Sequence, residues 1–244
     1  MNALPIEVIA AGAPPNFPPT ERALAVPNGL LALGGDLAPE RLLAAYAHGI
    51  FPWYGENEPI LWWSPDPRCV FDTDAIHVSR SLRRQLRHSR WTLSINQAFD
   101  AVIEACAAPR EDAGGTWIVP SMMAAYRNLH RLGHAHSMEV WDGEHLVGGL
   151  YGVAVGRLFC GESMFSRENG GSKIALLGLC RHLQRHGYPL LDAQVTNPHL
   201  LRMGAREVPR ARFMVRVNAL VERTPDGDPW TCGVGTETAA GLLE

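Results

Sequence analysis

The chain has no positive excess. Its 244 residues carry 22 Lys and Arg against 25 Asp and Glu, a formal net charge of -3. That excludes a fold-wide cationic field for nucleic acid, so any RNA contact must come from a local patch. There is no Cys-x-x-Cys among the five cysteines Cys69, Cys106, Cys160, Cys180 and Cys232. An odd, scattered set argues against a disulfide framework and for reduced thiols in a cytoplasmic protein. No stretch approaches the ~18 apolar residues of a membrane span. The opening "MNALPIEVIAAGAPPNFPPTER" lacks a basic start and is broken by prolines, so no signal peptide is expected. A nucleoside-triphosphate loop is missing too. In "GLLALGGD", Gly29 to Asp36, Gly35 and Asp36 stand where that loop needs Lys and Ser or Thr, and Asp36 would repel phosphate. The segment reads as a tight turn ahead of a helix. Nor do the histidines spell a metal site. Gly133 should end the helix between His130 and His134, and no Cys or carboxylate is spaced to complete a set with His136. His182 and His186 read the same way.

What is present suffices for one large domain or two modest ones, with roughly 70% or more of the unfolded surface buried. Residues 1–70 are rich in Gly, Pro and Trp around one helix, "GDLAPERLLAAYAHG", with Pro39 near its start, Leu42, Leu43 and Tyr46 on one face, and Gly49 as its stop. Residues 71–222 are read as the larger domain, with a regular pattern from about Ser121. "VSRSLRRQLRHSR" and "NQAFDAVIEACA" read as helices, and "SMMAAYRNLHRLG" as a third with Ser121 as N-cap. "HSMEVW", "LVGGLYGVAVG" and "RLFCGESMF" read as antiparallel strands, followed by a helix from Ser172 to Gly187. A strand "PLLDAQV", a short helix capped by Asn197 and a closing strand "ARFMVRV" complete the order. This predicts an α+β layer of helices on a mostly antiparallel sheet. Residues 223–244 are expected to form a loose tail.

Three features carry chemistry. In "LLDAQVTN" a carboxylate, Asp192, and an amide, Gln194, lie two apart in an apolar strand. Strict alternation puts them on one face, and burying both is costly unless each is paired or used. In the helix from Val78 to Arg90, the residues Arg80, Arg83, Arg84 and Arg87 form a stripe opposite Leu82 and Leu86, with no acid among residues 77–90. A stripe of one sign suits a phosphate backbone. Trp53, Trp62, Trp63 and Trp117 in Gly/Pro-rich loops could be core or could stack on unpaired bases.

The blocks "PNGLLALGGDL", "GIFPWY", "LWWSPDPR", "GTWI", "LGHAHSMEVW", "GLYGVAVGRLFCGESMFS" and "LLDAQVTN" together resemble the leucyl/phenylalanyl-tRNA–protein transferase family, from about Pro27 to about Val217. The resemblance implies a small N-terminal domain and a larger one like the GNAT acetyltransferases. It implies transfer of Leu or Phe, and sometimes Met, from charged tRNA to proteins beginning with Arg or Lys, which marks them for degradation. The ester is already activated, so neither ATP nor any other cofactor is expected, and the partners are aminoacyl-tRNA and acceptor protein rather than DNA or membrane. On the family's pattern Asp192 and Gln194 are the catalytic pair, with Asp192 orienting and polarising Gln194. Glu162 binds near the aminoacyl group, with Phe159 expected on its face. Leu150, Phe159, Leu176 and Leu179 match the apolar pocket, and Trp53 and Trp117 the contacts to the terminal adenosine. The acetyltransferase pyrophosphate pattern Q/R-x-x-G-x-G/A is absent from "SRENGGSK", although the amides at Gly170 and Gly171 could still hold a phosphate, more plausibly of tRNA than of CoA. A CoA-dependent N-acyltransferase and a non-catalytic RNA-binding module are the rival readings.

Overall fold

Three strands joined by tight turns form the centre of the molecule, and helices cover both of their faces. In this computed structural model, which describes residues 6–108, 118–230 and 237–243, the strands in chain order are β1 (Glu7–Ile9), β2 (Leu30–Gly34), β3 (Phe51–Pro52), β4 (Leu61–Trp63), β5 (Arg68–Asp72), β6 (Thr92–Ile95), β7 (Ala135–Asp142), β8 (His145–Val155), β9 (Leu158–Ser166), β10 (Leu190–Gln194), β11 (Arg206–Val208) and β12 (Glu237–Thr238). The helices are α1 (Pro39–Ala47), α2 (Arg80–His88), α3 (Phe99–Ala107), α4 (Pro120–Arg131), α5 (Gly171–Arg185), α6 (Pro198–Arg202) and α7 (Arg210–Leu220).

The main sheet runs β11-β5-β10-β9-β8-β7-β6-β12. Every neighbouring pair is antiparallel except β9 and β10, so the α+β, mostly antiparallel reading holds. β7 and β8 are buried along most of their length rather than alternating. The reason is that one apolar layer, with Val102, Tyr126 and Phe213 from α3, α4 and α7, packs on one face and a second, with Leu86, Ile174 and Leu183 from α2 and α5, on the other. Where α5 begins, Gly148 and Gly171 meet backbone to backbone. A Cβ on Gly148 would lie 2.5 Å from the Gly171 Cα, so the helix docks this closely only because both are glycine. A second sheet, β1-β2-β4-β3, is formed by the N-terminal residues. No helix among the described residues is long and apolar enough to cross a membrane.

Four local expectations need correction. "ARFMVRV" is not a strand but lies in α7. Its period-two pattern is coincidental: Val215 is 71% exposed, while Phe213, Val217 and Leu220, at helical spacing, are buried. Ser121 is not the cap of α4. Val119 is, with Pro120 in the first turn, and the Ser121 hydroxyl instead meets Tyr54 Oη at 3.0 Å. A boundary at residue 70 falls inside β5, all of which belongs to the main sheet. The described part of the tail is docked rather than loose. Trp230 stacks on His136 with ring centroids 4.0 Å apart, β12 pairs with β6, and Ala239 and Leu242 are buried.

Candidate active site

Two bulges in neighbouring parallel strands build the site. β8 pairs Tyr151 with Ser163 and Gly152 with Gly161, which leaves Glu162 as the extra residue on β9. Gly152 permits this, since a Cβ there would come within 2.2 Å of the Cys160 carbonyl oxygen. β10 pairs Asp192 with Val70 and Gln194 with Cys69, skipping one residue. Gln194 takes φ 63°, and Val195 N–H closes a tight turn on Ala193 O at 2.8 Å. Bulges re-aim side chains, and here both aim toward one place.

Asp192 and Gln194 are linked, but not as strict alternation suggests. Gln194 gives its backbone N–H to Asp192 Oδ1 at 2.9 Å, while its side-chain Nε2 donates to Glu162 Oε1 at 2.7 Å. Asp192 has no solvent exposure and does not line the cavity described below. Its carboxylate is held by Arg68, Nε to Oδ1 at 2.8 Å and Nη2 to Oδ2 at 2.6 Å. The pair satisfies two charges that would otherwise be costly to bury.

Glu162 lies at the centre of the second network. Tyr126 donates its hydroxyl to Oε2 at 2.8 Å, and Tyr46, from α1, hydrogen-bonds in turn to the Tyr126 hydroxyl. Burial pushes the Glu162 carboxyl up to about 7, against the pull of the Tyr126, Tyr46 and Gln194 donors, and the nearby Asp192 charge pushes the same way as burial. Burial, with the Glu162 charge, also holds the Tyr46 and Tyr126 hydroxyls well above their ordinary range, so both remain protonated donors.

Glu162 and Gln194 border a cavity of about 300 Å³. Leu150, Leu176 and Leu179 line it together with Phe71, Met164, Leu191 and Leu200, and Trp53 stands at its wall, 42% exposed. Phe159 does not line it. It sits three positions from Glu162, on the far side of the bulge, buried with its ring 5.5 Å from Trp230. Trp62 is core, fully buried with its indole N–H on Gly34 O at 2.9 Å, and Trp63 donates to Trp53 O at 2.7 Å. Trp117 lies outside the described residues. α2 forms where the Ser79 side chain accepts from Leu82 N–H, and it buries Leu82 and Leu86. Arg80, Arg83, Arg84 and Arg87 are exposed, and none is ion-paired among the described residues. At the start of α5 the amides are partly taken: Gly171 N–H donates to Glu168 O and Ser172 N–H to Ser166 Oγ at 2.8 Å. His130 stacks on Phe99 at 4.1 Å and serves the core. Asp36, in the rejected phosphate loop, pairs with the buried Arg41.

Sequence reasoning missed Arg68, Tyr46 as a polar group, and Tyr126. A signal for the first was available: Arg68 opens "RCVFD", an otherwise apolar run, just as Asp192 interrupts "LLDAQV".

Comparison with known proteins gives the class: the chain is an enzyme that transfers aminoacyl groups. A model of the leucyl/phenylalanyl-tRNA protein transferase family matches residues 70–218, a model of that family's N-terminal domain matches residues 35–66, and the chain belongs to this family. A leucyl/phenylalanyl-tRNA–protein transferase of Xanthomonas euvesicatoria is 58% identical over 97% of this chain and 95% of its own length. Transferases of the same name from Xanthomonas axonopodis and Shewanella baltica are 58% and 54% identical, over 93% and 88% of this chain and 92% and 91% of theirs. A solved structure, L-PGS from Bacillus licheniformis, overlaps it only weakly, at TM-score 0.38 and 11% identity over 69% of this chain and 54% of that one.

Proposed function

We propose that the chain joins a leucyl or phenylalanyl residue, and also methionyl, carried on its tRNA, to the N-terminal amine of proteins that begin with Arg or Lys. The observation that carries this reading is the contact between Gln194 Nε2 and Glu162 Oε1 at the wall of an apolar cavity. The apolar lining of Leu150, Leu176 and Leu179 takes the transferred side chain, and Glu162 faces the polar end of the same residue. The neutral acceptor amine attacks the ester carbonyl carbon. A C–N bond forms, the ester C–O bond breaks, and the ribose oxygen leaves with the proton the amine gives up. With Nε2 committed to Glu162, the Gln194 carbonyl is left to accept from the amine. An amide is too weak a base to hold that proton, so its role is to align the amine and relay the proton. Positioning of this kind can supply ~7–11 kcal/mol. Asp192 acts from behind, through the backbone of Gln194. Trp53 and Trp117 stack on the terminal adenosine, the α2 arginines hold the tRNA backbone, and the reaction belongs in the cytoplasm, where charged tRNA is made.

The test is single-turnover transfer to an Arg-starting peptide from charged tRNA, with and without CoA. Transfer without CoA is expected. A CoA requirement would indicate an N-acyltransferase, and tRNA binding with no transfer a binding module. Asp192→Asn and Gln194→Ala should each slow transfer by on the order of 10² or more. The double variant should be little worse than the poorer single, because groups acting as one unit are not additive.

A further inference from the structure

Arg68 is surrounded more completely than a core ion pair requires. Besides its two bonds to Asp192, it gives Nη1 to Gly49 O at 3.0 Å. Its guanidinium lies 4.8 Å from the Phe51 ring centroid and 4.7 Å from that of Phe213, one ring from β3 and the other from α7. A planar fork lying over two rings and bound at three nitrogens is held against turning, so it fixes the plane of the Asp192 carboxylate. One oxygen of that carboxylate, Oδ1, also accepts the Gln194 N–H. The turn at Gln194, φ 63°, lies in a region that residues other than glycine occupy only when their surroundings hold them there. Glutamine itself does not favour it, and the turn it makes sends the side chain to Glu162.

We infer that Arg68 is a positioning residue: acting through Asp192, it holds the strained turn at Gln194 and thereby seats the Gln194 amide on Glu162. Arg68 is itself absent from the cavity lining and would touch no substrate. Only the consequence for rate rests on the proposed function of Gln194. The seating is a separate matter and can be read directly.

The reporter is the side-chain NH₂ resonance of Gln194 followed by NMR across pH. In the parent it should move with the ionisation of Glu162 near pH 7. The other groups facing Glu162 are Tyr126, Tyr46, Tyr151, Cys160 and Asp192, of which the tyrosines and the thiol stay protonated there. Arg68→Lys keeps the charge and loses the fork. The paired change Arg68→Met with Asp192→Leu replaces the ion pair with apolar groups of similar size, a swap buried pairs commonly tolerate. In both variants, with melting curves run alongside, the Gln194 resonance should lose its pH dependence and sit where a free glutamine does. Single-turnover transfer should fall at least tenfold, while KM for charged tRNA changes less than about twofold. A Gln194 resonance that still follows Glu162 in both variants overturns the inference and leaves Arg68 as core. Loss of that coupling with transfer unchanged keeps the seating role and sinks the role proposed for Gln194 instead.

Discussion

The Gln194 side chain donates to Glu162 across 2.7 Å, from one bulged strand to its parallel neighbour. That single bond joins two networks of opposite character. Behind Gln194 is the Arg68–Asp192 pair, and behind Glu162 is a chain of two tyrosines that supplies only neutral donors. A carboxyl fed by neutral donors in an apolar wall is poised between its two states, and the surrounding residues decide which one a ligand meets.

This has a consequence for stability. The Glu162 carboxyl is raised from 4.5 to about 7, chiefly by burial. The folded protein therefore keeps this proton up to about pH 7, while the unfolded chain releases it from about pH 4.5. Its contribution to stability is present at acid pH and is lost as pH rises through that window, by up to roughly 3 kcal/mol. Glu162→Gln, which cannot ionise, should gain on the parent by about that amount between pH 4.5 and 7.5 in urea unfolding. A difference that stays constant across the range would mean that Glu162 titrates at its ordinary value.

The apolar end of the cavity should sort side chains by size. Leu150 and Leu179 are nearly fully buried in its wall. Leu150→Phe or Leu179→Phe should penalise transfer of Phe more than of Leu, by ~1–3 kcal/mol, the scale of a methylene-sized change in such a pocket. Overpacking can also lower the melting temperature, so the ratio of the two transfer rates is the quantity to read. An unchanged ratio in both variants places the selecting surface elsewhere.

Much of this site was legible in the sequence, and the remainder failed for definable reasons. Asp192, Gln194, Glu162 and the three cavity leucines stand out because polar groups in apolar runs, and matching blocks, are local signals. Period-two reasoning broke down where the backbone departs from regular pairing. It gave Asp192 and Gln194 a side-chain link, because a bulge shifts the faces and leaves no mark in composition. Phe159 is a different case: it lies three positions from Glu162, an odd number, so alternation itself puts the two on opposite faces and the expectation of a shared face does not hold even on a regular strand. Period-two reasoning also made a strand of "ARFMVRV", whose alternation and helical spacing both fit seven residues, and only packing decides between them. Arg68 meets Asp192 from 124 positions away, and contacts at that range are not written in any window.

The α2 stripe should govern tRNA affinity without touching the chemistry. Arg83 and Arg87 are one helical turn apart and exposed. Reversing both to Glu should weaken charged-tRNA binding and flatten its salt dependence, by ~0.7–0.9 in slope for each phosphate no longer neutralised. Transfer from a minimal aminoacyl-adenosine donor, which has no backbone to grip, should be nearly unaffected. Equal losses with both donors would make the stripe a structural feature.

The turn at Gln194 allows strain and chemistry to be separated at one position. Its φ of 63° is unfavourable for any residue with a Cβ, by roughly 1–2 kcal/mol. Gln194→Ala retains that cost and removes the side chain. Gln194→Gly removes both, while giving back ~0.4–1 kcal/mol through the greater freedom of glycine in the unfolded chain. The glycine variant should therefore be the more stable of the two, by up to about 1 kcal/mol in chemical unfolding. Their transfer rates should be equally poor, since neither can bond to Glu162 or meet the amine. If the glycine variant recovers transfer, the side chain is dispensable, and the strained turn matters only because it shapes the cavity wall. If alanine proves the more stable, the turn is not strained, and the hold of Arg68 and Asp192 on it is ordinary packing.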